Sequence, residues 1–223
     1  MEDDVLRHLR GLEPGARYNA YWAIRSLYRW ALRRGYAVDP SSAIPRPRLL
    51  KREPRALTRD EVDGLREAAR RRDPMRAALV DFLYYTGARV GEAATAEWRH
   101  DFGEELVLVG SKGRAERTVS VHPELRRSLD ALRILRLAEG TLPHSIFGRV
   151  YATLYSWVKD AAHTAGLDDV HPHTLRATTA TVLAESGASA RDIQVLLGHA
   201  NLAVTERYIA STRASRAKTV TLL

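Results

Sequence analysis

Cysteine is missing altogether from this chain of 223 residues, which excludes disulfides, thiolate zinc sites, iron–sulfur ligation and a cysteine nucleophile. Lysine is scarce. Of 35 basic side chains only Lys51, Lys112, Lys159 and Lys218 are lysines, so arginine carries nearly all the positive charge. No stretch approaches the long uncharged apolar run of a membrane span, and Met1-Glu2-Asp3-Asp4 has neither the basic start nor the apolar core of a signal peptide. The cytoplasm is the expected location. There is no internal repeat and no low-complexity tract. Gly110-Ser111-Lys112-Gly113 lacks the spacing of a Walker phosphate loop, and no His-Glu-x-x-His zinc helix exists. His171, His173 and His199 could in principle bind a metal, but imidazoles at helix starts more often cap or hydrogen-bond.

Hydrophobic residues make up 45% of the chain, too many for a disordered basic tail. The length suits one large domain or two small ones with a real core. The formal net charge of +8 is uneven: residues 1–57 hold 12 basic and 6 acidic side chains, a net +6, against 23 and 21, a net +2, in the remainder. A localised positive excess suits a polyphosphate or an anionic membrane surface, and a soluble basic protein is the plainer alternative.

Val5, Leu6 and Leu9 predict a short helix whose acidic start suits the helix dipole, broken by Gly11 to Gly15. From Arg17 to Arg34 the apolar residues Ile24, Leu27, Tyr28 and Ala31 recur with helical spacing. Arg25, Arg29 and Arg33 then form a basic stripe on the other side, fit either for a DNA groove or for plain solvation. Pro40, Pro45, Pro47 and Pro54 deny residues 39–56 a continuous helix. With Arg46, Arg48, Lys51, Arg52 and Arg55 they mark a basic domain boundary.

Beyond it, Thr58 and Glu61 make a capping box for a helix to about Arg72, Asp73-Pro74 opens another ending near Gly87, and a short helix begins near Val90. Leu106 to Val109 and Thr118 to Val121 flank Gly110-Ser111-Lys112-Gly113-Arg114 and predict a hairpin with Lys112 at its turn. Further helices are predicted over Pro123–Glu139, Val150–Ala165, His173–Ser186 and Ser189–Leu197, with a last one carrying Tyr208. The expected fold is therefore mainly α with a small antiparallel β-sheet, an α+β class.

Four stretches stand out: Thr86-Gly87-Ala88-Arg89-Val90-Gly91-Glu92, Gly110-Ser111-Lys112-Gly113, His173-Thr174-Leu175-Arg176, and Leu196-Leu197-Gly198-His199 followed nine residues later by Tyr208. Singly, each has a plainer reading. Arg89 and Glu92 could be a surface ion pair, Lys112 an ordinary surface lysine, His173 and Arg176 a helix start, and Tyr208 a core aromatic. Together, in type, order and separation, they resemble the tyrosine recombinase family of phage integrases and Xer-type recombinases.

Matched by position, the resemblance implies that Arg89 and Arg176 are the catalytic arginines, Lys112 the hairpin lysine, His173 and His199 the catalytic histidines, Tyr208 the nucleophile and Glu92 a supporting acid. Where the family often has histidine after the second arginine, this chain has Ala177. The chemistry is coherent with those residue types. A phosphodiester repels nucleophiles, and two guanidinium forks can hold its non-bridging oxygens and neutralise the charge that develops. His199 can add a hydrogen bond there, and His173 can accept the tyrosine proton. Clustered cations lower the phenol's pKa from near 10. Attack by Tyr208 stores the bond as a 3′-phosphotyrosine, so no cofactor, ATP or metal is implied. Lysine can protonate the leaving 5′ oxygen, which arginine does not do.

The resemblance further implies a small helical core-type DNA-binding domain over 1–45, a basic linker over 46–57, a catalytic domain over 58–212 and a tail over 213–223. It implies recombination through a Holliday junction by a homotetramer bound to inverted half-sites in double-stranded DNA, with a monomer when free and the need for a host DNA-bending protein left open. Arg25, Arg29, Arg33, Arg46, Arg48, Lys51 and Arg52 are the expected DNA contacts. The segment before the linker, at roughly fifty residues, is short for a core-binding domain, and nothing before it resembles an arm-binding domain. The expectation is a reduced enzyme whose small domain leans on DNA. Val220, Leu222 and Leu223 offer the tail an apolar patch for a neighbouring protomer, or the tail is a frayed basic terminus. Two alternatives stay open: a type IB topoisomerase, and a non-catalytic DNA-binding regulator on the same scaffold.

Overall fold

Local capping chemistry sets where most helices begin in the computed structural model, which describes residues 2–36, 39, 41–48, 55–110, 116–140 and 142–198. The chain divides into two units, Met1–Arg52 and Glu53–Leu223.

In the first unit, α1 (Glu2–Arg10) and α2 (Pro14–Arg33) pack around Leu9, Tyr21 and Ile44. Pro14 sits at the first helical position, where its missing N–H costs nothing. Gly15 therefore lies inside α2, and the break between the helices is shorter than its glycines suggest. Arg17 fastens the corner by donating to the carbonyls of Leu9 and Leu12, both at 2.9 Å. Leu27, expected on the packed face, is 60% exposed. Ile24 does pack there as expected, and Tyr21 joins it against Leu9 and Ile44.

In the second unit the Thr58 hydroxyl accepts from Glu61 N–H at 3.3 Å, and the Glu61 carboxylate accepts from Thr58 N–H at 2.8 Å. This reciprocal cap starts α3 (Arg59–Arg72). Asp73 accepts from Arg76 N–H at 2.8 Å and Pro74 opens α4 (Pro74–Thr86), which stops at Gly87 in the left-handed conformation. The short α5 (Val90–Ala94) and a 3-10 turn (Trp98–His100) lead into the hairpin of β1 (Glu105–Leu108) and β2 (Arg117–Ser120). The strands pair antiparallel with Leu106 opposite Val119 and Leu108 opposite Arg117. Both begin one residue earlier than the hydrophobic runs suggest. Then come α6 (Pro123–Ala138), α7 (Tyr151–Thr164), α8 (Pro172–Glu185) and α9 (Ala190–Leu197). The expected hairpin turn and the last helix, with Lys112 and Tyr208, lie outside the described residues.

Helix α4 packs against α3, α6 and α8. It buries Leu79, Phe82 and Leu83, with the Phe82 ring edge-on to Phe147 at 5.3 Å. Each such side chain contributes about 1.5–3 kcal/mol on leaving water. One ionic pair lies within this packing: Arg66 Nε donates to Asp81 at 2.5 Å, and Ser128 donates to the other carboxylate oxygen. At the start of the unit, Arg55 pairs with Glu61 and Asp169, and Leu57 N–H donates to the Thr178 hydroxyl at 2.9 Å. Among the described residues no helix is long and apolar enough to cross a membrane.

Candidate active site

Three of the four singled-out stretches meet at one side chain. Arg176, on α8, is 4% exposed. Its guanidinium donates to the carbonyl of Gly87 at 2.6 Å and to that of Leu197 at 2.6 Å. The corner it grips is locally specified. The Thr86 hydroxyl donates to Phe82 C=O at 2.6 Å and accepts from Ala88 N–H at 3.1 Å, while Gly87 takes φ +59°. That reversal ends α4 and delivers Arg89 to the start of α5. Thr179, one turn from Arg176, ties the same corner by donating to Tyr84 C=O at 2.5 Å. At the other end, α9 stops at Gly198 with φ +63°, directly before His199.

Arg89 and Glu92 are not the surface pair that their spacing allows. Glu92 is 2% exposed. Its carboxylate accepts from Arg89 N–H at 2.8 Å and from the Arg89 guanidinium at 3.1 Å. Arg117, at the start of β2, adds a fork, with donors at 2.8 and 2.9 Å to the two oxygens of Glu92. The Arg117 Nε donates to Leu196 C=O at 2.7 Å. Burial pushes the Glu92 carboxyl up, but hydrogen bonds from Arg117 and Arg89 N–H, with both guanidinium charges, outweigh it and hold the group below its ordinary 4.5. Glu92 is thus a buried carboxylate between two arginines.

His173 lies in the first turn of α8, with its ring 6.1 Å from that of His171, edge to face. Its pKa falls below the ordinary 6.5 through partial desolvation first, then through the charges of His171, Arg176 and Arg89. A neutral imidazole in a positive surrounding is suited to accept a proton. The structure therefore brings Arg89, Glu92, His173 and Arg176 together, while Lys112, His199 and Tyr208 lie outside the described residues. Among the described residues no group of three or more His, Asp or Glu could hold a metal.

The expected DNA contacts are less uniform. Arg29, Arg33 and Arg48 are exposed. Arg25 is half-buried and donates to Ser41 C=O at 3.1 Å. Arg46 donates to the Tyr18 hydroxyl at 3.0 Å and lies over the Tyr18 and Trp22 rings. Lys51 and Arg52 lie outside the described residues. Sequence reasoning missed Arg117. The available signal was its place two residues before Val119, on the strand face that is buried.

The family model for the phage integrase family matches residues 55–215. The chain is 32% identical over 220 residues to the tyrosine recombinase XerD of Caulobacter vibrioides, covering 89% of this chain and 72% of that protein. It is also 32% identical over 218 residues to the XerC recombinase of Xanthomonas axonopodis pv. citri, covering 90% and 69%. Among solved structures, the XerA recombinase superposes with a TM-score of 0.68 at 27% identity, covering all of this chain and 83% of its own. A lambda integrase tetramer bound to a Holliday junction superposes at 0.78 and 19% identity, covering 93% and 64%, which is a likeness of fold. The relatives favour neither the topoisomerase nor the non-catalytic alternative.

Proposed function

Because the chain belongs to the phage integrase family and is a site-specific DNA recombinase, we propose that Arg89, Lys112, His173, Arg176, His199 and Tyr208 carry out its strand cleavage, with Glu92 in support. The observation that carries this reading is the Arg176 guanidinium bound to the carbonyls of Gly87 and Leu197. It draws to one point the segment that continues into Arg89, the helix that bears His173 and the segment that runs on into His199.

In this reading, the forks of Arg89 and Arg176 hold the non-bridging oxygens of the scissile phosphate, joined by His199. Fixed cations aimed at developing charge are worth most in a partly dehydrated site. The Tyr208 oxygen attacks phosphorus and its proton passes to His173. The bond from phosphorus to the 5′ oxygen breaks, and Lys112 protonates that oxygen. Reversal by the 5′ hydroxyl of a partner strand rejoins the DNA, and exchange between two duplexes passes through a Holliday junction.

The same reading assigns phosphate contacts to Arg25, Arg29, Arg33, Arg46, Arg48, Lys51 and Arg52, in a core-type domain over 1–45 and a linker over 46–57, with catalysis over 58–212. Phosphate contacts of this kind fix register and carry little sequence information. It takes inverted half-sites in double-stranded DNA as the substrate, a homotetramer as the working form and the cytoplasm as its location. The lambda integrase tetramer on a Holliday junction, close in fold, supports the assembly. The test is a nicked duplex that loses the leaving strand on cleavage and so traps the adduct. Peptide mapping should find the DNA on Tyr208, and Tyr208→Phe should bind the duplex without forming an adduct. An adduct at another residue would overturn the assignment.

A further inference from the structure

We infer that Arg117 is a positioning residue of this site: by neutralising Glu92, it leaves the positive charge of Arg89 available to the scissile phosphate. The inference rests on the role proposed for Arg89. Its physical basis is the shared carboxylate. One oxygen of Glu92 receives a donor from Arg89 at 3.1 Å and a donor from Arg117 at 2.8 Å, and the other receives the second Arg117 donor at 2.9 Å. The Arg117 side chain is 9% exposed and that of Glu92 2%, so solvent screens the group weakly. Arg89 is the more open of the two arginines, at 24%.

The charges of the three side chains sum to one positive unit. Without Arg117 they sum to zero, and the buried carboxylate has Arg89 as its remaining partner of these two. An unpaired buried carboxylate is costly, so Glu92 would then draw Arg89 inward and compete with the phosphate for its donors. Removing the carboxylate charge as well restores the single positive unit. The wider contacts suit this role: Arg117 also holds Leu196 C=O and lies against Gly198, where a β-carbon would sit 3.2 Å from its guanidinium. One side chain thereby ties β2 to the Arg89 segment and to the end of α9.

The experiment measures the rate of covalent capture of a nicked duplex that the wild-type chain has itself selected from a random-sequence pool. Arg117→Met should slow capture about 100-fold, the scale of truncating one partner of a buried charge pair. Arg117→Lys, which keeps the charge, should stay within about tenfold of wild type, a span of about 1.4 kcal/mol. The decisive variant is Arg117→Met with Glu92→Gln, which should capture at least about tenfold faster than Arg117→Met alone, a coupling within the range found for contacting residues. A tie that merely held β2 to α9 would be lost in both, so a double variant no faster than the single overturns the inference. If Arg117→Met does not fold by circular dichroism, Arg117→Gln with and without Glu92→Gln is read by the same criterion. Arg89→Gln separates the two levels. Undiminished capture there defeats the proposed site itself, whereas lost capture without recovery in the double variant defeats only the role of Arg117.

Discussion

A β-carbon added to Gly87 would lie 2.4 Å from Cδ2 of Leu197, closer than unbonded carbons come. The corner that delivers Arg89 and the end of α9 are therefore packed against each other with no room for a methyl group. Leu197 is fully buried, so its side chain has little freedom to turn aside, and Gly87 also holds φ +59°. Gly87→Ala should destabilise the protein by about 1–3 kcal/mol, combining left-handed strain with overpacking. Urea unfolding of the two proteins measures this, and an unchanged midpoint would contradict the packing.

His173 should set the acid side of the pH profile. Its folded pKa lies below the ordinary 6.5, so it is neutral at neutral pH, and capture should decline as pH falls through that lowered value. The sign for stability is the same. Between the lowered value and 6.5 the unfolded chain binds more protons, so stability is lost as pH drops through this window. His173→Gln should flatten its own share of both curves, read as the difference from wild type between pH 5 and 7.5. A wild-type rate limb centred above 6.5 would contradict the shift.

The pair of Arg66 with Asp81 should be costly to break and cheap to replace. Asp81 is 1% exposed and accepts from Arg66 at 2.5 Å. Arg66→Met leaves that carboxylate short of its main partner and should cost about 3–5 kcal/mol. Arg66→Met with Asp81→Leu should recover most of the loss, because no buried charge remains. Thermal melts of the four proteins complete the cycle, and additive losses would rule out the explanation.

The cap at Thr58 offers a smaller effect. Thr58→Ala removes the acceptor for Glu61 N–H and should cost about 1 kcal/mol, while Thr58→Ser should cost less, since the hydroxyl is kept. Denaturant midpoints resolve the two.

What could be read from the sequence was local. Thr58 with Glu61 and Asp73 with Pro74 announce helix starts because caps act within four residues, and Gly87 announces a stop. The candidate site was legible to the same degree, since Arg89, His173 and Arg176 occupy recognisable short stretches that the fold brings together. Arg117 was not, because its partners are 25 and 79 residues away in sequence and nothing beside it speaks of them. Leu27 misled for the same reason. Helical spacing says that a face is apolar, but Leu9 and Ile44, distant in the chain, decide which of its side chains are covered. Arg25 read as one of three equivalent stripe residues, and a carbonyl 16 residues on sets it apart.

The tie between Leu57 and Thr178 bears on anyone exchanging amino-terminal units between relatives. Thr178 also donates to Thr174 C=O at 2.8 Å, so it belongs to the helix that holds both His173 and Arg176. A chimera spliced at the Thr58 cap would keep α3 and, with any residue but proline at position 57, the backbone donor to Thr178, yet it would replace the buried Leu57 side chain and the Arg55 bridge to Asp169. Splicing upstream of Arg55 carries the fastening across intact, and hybrid enzymes joined there should inherit a carboxy-terminal unit that is already buttoned shut.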